Sequence, residues 1–190
     1  MSFGSVGDVN NFIDRVGFVG ALSLFRMTPV IQRADRSLAT AVSLFVTSIA
    51  RNDKSDFDQA LEEIEECSAR MGSTQVVFLD REYYVHTAAI LCGYIAHPSV
   101  ADRARMIRTV AADFWSSVDG LVDRGGDIPG VRLDGTLENI EMRWLDRDWE
   151  SFQAPSGLTL LFNSRITAIV GTFAIREQIA VHAARAAGWS

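Results

Sequence analysis

The segment FLDREYYVHTAAILCGYIAH, residues 78–97, gathers two of the chain's three histidines, one of its two cysteines and a glutamate four positions before the first histidine. On a helix Glu82 and His86 are neighbours one turn apart, so the carboxylate can orient the imidazole as a general base. The same pair can equally satisfy a ring nitrogen beside a packed helix. His97 cannot join them, because it lies roughly 16 Å from His86 along the axis. The spacing also departs from carboxylate-bridged metal bundles, which use Glu-x-x-His from two helices and further glutamates. No metal and no cofactor are therefore expected, and Cys92 reads as an ordinary buried thiol.

Other residues could bind rather than react. Arg165 and Arg176 share one helical face roughly 16 Å apart, with apolar Phe162, Ile169 and Phe173 as neighbours. Such a pair either lines an anion pocket or meets carboxylates from another helix. DRGGD, from Asp123 to Asp127, can turn tightly and present backbone amides to an anion. It lacks the lysine and hydroxyl of a phosphate loop and the acid spacing of a calcium loop. Trp149 and Trp189 are candidates for a subunit boundary, where tryptophan buries much area and keeps its N–H usable.

Two stretches, REYYVH from Arg81 to His86 and REQIAVH from Arg176 to His182, resemble the arginine-to-histidine motif of HEPN-domain ribonucleases. That resemblance implies a helical fold in which a paired arginine and histidine cleave RNA at a dimer interface, with Arg176 and His182 on the C-terminal helix as the preferred pair. The family commonly has Asn, Asp or His after the arginine, whereas this chain has Glu82 and Glu177. On a regular helix Arg81 and His86 point about 140° apart, so a shared site would need a distortion or a second subunit.

The elements that must carry these residues read as helices almost throughout. Asp8 caps a first helix whose face begins with Phe12, Val16 and Val19, while Gly17 and Gly20 bend it or admit a close neighbour. Thr28 and Pro29 form a start signal for a second helix with Ile31, Leu38, Val42, Phe45 and Ile49 inside. SDFD at 55–58 resembles a capping box opening a third, which Gly72 stops. A fourth follows Thr74 and ends near His97–Pro98; its Ala89, Gly93 and Ala96 form a shallow strip that admits another backbone. Ser99 and Asp102 open a fifth. Residues 123–135 form the one long loop, within a Gly/Asp-rich connection at about 120–135. A short helix runs from Thr136 to about Phe152, APSG interrupts at 154–157, and one continuous helix is expected from Leu158 to about Ala187. The expectation is an all-α, single-domain irregular bundle of six or seven helices spanning 1–190.

Composition limits the function. The chain has 190 residues, 48% of them apolar, with a net charge of −6, which disfavours general affinity for nucleic acid or anionic membranes. Two isolated cysteines and the absence of a basic-then-apolar leader point to a reduced, cytoplasmic setting with no membrane. The leading expectation is a helical interaction or assembly protein that acts as a homo-oligomer or with a protein partner. The alternative is an enzyme or small-anion sensor with a pocket between helices, most specifically HEPN-like. In that reading Glu82, His86, Arg176 and His182 are the catalytic candidates, and Arg165, Arg176, Asp123 and Asp127 the ligand-binding ones.

Overall fold

The computed structural model describes residues 12–70, 80–153 and 157–189. Among them the chain forms eight helices and no strand: α1 (Arg15–Ala34), α2 (Arg36–Arg51), α3 (Lys54–Arg70), α4 (Arg81–Ala96), α5 (Arg103–Gly125), α6 (Leu137–Ser151), α7 (Leu158–Val170) and α8 (Phe173–Ala186). The all-α expectation holds, with one helix more than expected. Asp8, Gly72, Thr74 and the first three residues of APSG lie outside the described residues.

Thr28–Pro29 is not a helix start. α1 runs through Pro29 to Ala34, and the buried Thr28 hydroxyl has no hydrogen-bond partner, so it caps nothing. Proline inside a helix costs about 3 kcal/mol. Met27, Val30 and Ile31, all buried around it, each return about 1.5–3 kcal/mol. The break falls instead at Asp35, whose carboxylate accepts from the Leu38 amide at 2.9 Å and opens α2. Asp53, rather than Ser55, opens α3 by accepting from the Ser55 and Asp56 amides. α5 begins at Arg103, after Asp102 in a left-handed conformation that makes no cap bond.

The continuous C-terminal helix is also corrected. It breaks at Gly171–Thr172 into α7 and α8, bent by 58°. The Thr172 hydroxyl donates to the Ile169 carbonyl at 2.7 Å, offering that carbonyl an alternative to the helix ladder. The bend turns Phe162 and Ile169 of α7 and Ile179 and Ala183 of α8 into the same core.

α1 is the axis of the molecule and packs against α2, α4, α5, α6, α7 and α8. A helix apolar on nearly every side is stable only when surrounded. At Gly20 a Cβ would stand 2.8 Å from Ile95 Cγ1 and 3.0 Å from Ile107 Cδ1, so glycine there lets α4 and α5 close on α1. Phe18 packs on Phe162 of α7 and on Phe152 just beyond α6, and Phe25 on Phe173 of α8. The strip of Ala89, Gly93 and Ala96 behaves otherwise. A Cβ at Gly93 would meet nothing within 4 Å, so the expected close approach is not made among the described residues.

Candidate functional site

α6 carries Glu141, Leu145 and Asp148 on one inward face, as their spacing of four and three dictates. Its first turn is fixed by Asp119 of α5, whose carboxylate accepts from the Leu137 and Glu138 amides at 2.7 and 2.9 Å. Burial pushes the Asp119 carboxyl up from its ordinary value, against the lowering effect of those two donors. Thus held, Glu141 and Asp148 meet three arginines. Asp148 pairs with Arg26 of α1 and accepts from Arg165 Nε of α7 at 2.6 Å. Glu141 pairs with Arg176 of α8 at 2.5 Å and stands 3.7 Å from Arg26 Nε.

This cluster places three guanidiniums against two carboxylates in the protein interior. Arg26 is 1% exposed and Asp148 0%. Trp144 offsets part of the excess charge, with Arg26, Arg147 and Arg165 lying 5.4–5.9 Å from its ring centroid. Burial pulls the Arg176 guanidinium below its usual value, Glu141 opposes that, and Arg26 reinforces it. The hollow lined by Arg26, Trp144, Arg165, Thr172 and Arg176 has a volume of about 10 Å³, roughly the room needed by one water. Arg165 and Arg176 therefore do converge, onto carboxylates from α6.

The other candidate residues go to separate places. Glu82 is exposed in the first turn of α4, where a carboxylate favours the helix dipole. His86 Nδ1 hydrogen-bonds the Ser68 hydroxyl of α3 at 3.0 Å. His182 of α8 lies against the end of α5. A Cβ at Gly125 would stand 2.4 Å from His182 Nε2, which has no hydrogen-bond partner. Arg176 and His182 of the second motif are thus divided between different neighbours, Glu141 and the end of α5. Asp123 and Asp127 are exposed and flank a hollow of about 370 Å³ with Val122, Ile128 and Leu133. Among the described residues no three His, Cys, Asp or Glu side chains are grouped to hold a metal.

The tryptophans differ. Trp149 is 39% exposed and overhangs an apolar groove of about 270 Å³ formed with Val16, Val19, Ile107 and Leu145. The Arg108–Asp146 ion pair lies on its wall. Trp189 packs edge-on against buried Tyr84 at 5.0 Å and walls a polar cleft of about 680 Å³. That cleft lies where the α1–α2 corner meets the start of α4 and the end of α8. It holds Arg33, Arg36, Arg81 and Arg185; sequence reasoning had singled out Arg81 alone, in REYYVH, because the four are scattered over four helices. Arg26 was missed as well, although a lone arginine inside the apolar run GFVGALSLFRM was a usable signal.

α7 presents the remaining surface of note. Its one charged residue, Arg165, turns inward, and only Phe162 and Ile169 are buried. Exposed along its outside are Leu160, Ser164, Thr167, Ala168 and Val170, followed by Ile175 of α8. No single helix among the described residues is long and apolar enough to cross a membrane, although α7 and α8 together, bent as they are, reach that length and composition. No protein family, characterised protein or solved structure among those compared matches the chain.

Proposed function

We propose that this protein is a helical assembly protein that works as a homo-oligomer, with the outer face of α7 set against the same face of a second copy. The observation that carries the reading is an exposed helix face without a charge, in a chain where 22% of residues are charged. Leu160 is 78% exposed, and Val170 and Ile175 each 52%. Large apolar side chains exposed on an uncharged face of this kind mark a contact site.

Charge selects the occupant. Each copy carries −6, so two copies repel over most of their surfaces, and burying an unpaired charge at a contact is costly. The α7 face is where two copies approach without desolvating one. Facing itself across a two-fold axis, it gives a closed contact in which each residue meets its counterpart's neighbourhood. A lipid surface suits it less well, because α8 continues with exposed Arg185 and with Glu177 tied to Arg33 of α1.

The test is sedimentation of the native chain beside Leu160→Glu and Ile175→Glu. The native chain should run near twice 20.9 kDa, and both variants near the monomer with unchanged helicity. A native monomer at high concentration overturns the reading, as does a dimer indifferent to both charges. Transfer of the native chain, but not of Leu160→Glu, onto neutral lipid vesicles would assign the face to lipid instead.

A further inference from the structure

We infer that the arginine-lined cleft beside Trp189 binds a small ligand bearing a phosphate group. Its volume of about 680 Å³ lies within the usual ligand-pocket range of about 300–1,000 Å³. Its charged lining is four arginines, Arg33, Arg36, Arg81 and Arg185, against the single carboxylate of Asp35. In a chain with 24 acidic and 18 basic residues, that is a local reversal of sign.

The one carboxylate is already engaged, since Asp35 Oδ1 accepts the Leu38 amide. Arg33 is tied to Glu177 at the rim. Arg36 and Arg185 are both exposed and have no ion-pair partner among the described residues. Guanidinium groups present paired N–H donors that match phosphate oxygens. The backbone adds to this, because α2 begins at Arg36 and α4 at Arg81, so two helix N-termini bring partial positive charge to the cleft. The end of α8 brings the opposite partial charge, and Arg185 stands there to counter it.

The charge count sets the ligand class. With Arg33 set against Glu177, Arg36 and Arg185 supply two guanidiniums, and one phosphate monoester, carrying about −1.5 to −2 at neutral pH, matches them. Trp189 gives the cleft a fixed wall. Its amide donates to the Ala184 carbonyl at 2.8 Å, and its ring rests on Tyr84. The cleft and the α7 face share no residue, so this inference does not depend on self-association.

The experiment is titration calorimetry with inorganic phosphate at low salt, on the native chain and on the double variant Arg36→Gln/Arg185→Gln. Both side chains are exposed, so the variant should keep its fold, checked by helicity and melting temperature. One phosphate per chain is expected, weakened at least tenfold in the variant and weakened again by added salt. A second arm uses a nucleoside monophosphate. Tighter binding than phosphate, lost in Trp189→Leu, assigns the wall to a base, and equal binding assigns recognition to the phosphate alone. The inference is overturned by absence of saturable phosphate binding, by equal affinity in the double variant, or by a short RNA that binds the cleft without competition from phosphate.

Discussion

Replacing Asp148 by alanine removes the carboxylate that joins α1, α6 and α7, and its cost follows from the geometry. Asp148 answers two cations, Arg26 and Arg165. Arg165 has 21% of its side chain exposed and can swing its guanidinium toward water. Arg26 cannot. At 1% exposure it would keep only Glu141, 3.7 Å away and shared with Arg176. Breaking a buried pair from one side costs about 3–5 kcal/mol, a large share of the roughly 5–15 kcal/mol that holds a domain together. For a chain of this length each kcal/mol moves the melting point by about 2–4 °C, so a fall of roughly 6–20 °C is expected. Urea unfolding should show a lower midpoint with an unchanged slope. The double variant Arg26→Met/Asp148→Leu should regain much of the loss, since removing both partners leaves no stranded charge on that side. A loss below about 1 kcal/mol in Asp148→Ala, or a double variant no better than the single one, would refute the reasoning.

Two further outcomes follow from buried titratable groups. Cys67 and Cys92 are both free and buried, and burial pushes the Cys92 thiol far up from its ordinary value. A thiol reagent at pH 8 should therefore leave Cys92 unmodified in the native chain and titrate two thiols after denaturation; prompt native labelling of Cys92, read by peptide mapping, would contradict this. Burial likewise raises the Tyr84 phenol above the ordinary tyrosine value of 10.0, outweighing its hydrogen bond to Ser117. Its contribution to stability is full below pH 10 and is lost as pH rises toward the elevated folded value, because only the unfolded chain ionises there. Tyr84→Phe should flatten the alkaline fall of the denaturation midpoint, and an unchanged fall would exclude Tyr84 as its source.

Helical class was legible in the chain because apolar residues recur at the helical period, as Phe57, Leu61 and Ile64 do along α3. Boundaries were less so, for a physical reason. Thr28–Pro29 has the local chemistry of a start, but the surrounding core decides, and it buries both residues inside α1. Asp35 supplied the cap in its place. Of the candidate residues, Arg165 and Arg176 were recognisable as charges on an apolar face. Their carboxylates were not, because Asp148 and Glu141 are distant in sequence and become partners only when α6 packs on α1. The Glu82–His86 spacing read as a pair, while tertiary packing brought Ser68 to the histidine instead. The arginine cleft had no linear signature at all.

If α7 meets its own counterpart in a second copy, cysteine cross-linking across that face reads the contact itself. With Cys67 and Cys92 buried, a single new thiol at Ser164 or Thr167 reports on its surroundings under mild oxidation. Both variants should form a disulfide-linked species of twice 20.9 kDa that persists on dilution, while a control thiol at exposed Asn139 of α6 should remain monomeric. Cross-linking at Asn139 with none at either α7 position would contradict self-association through α7.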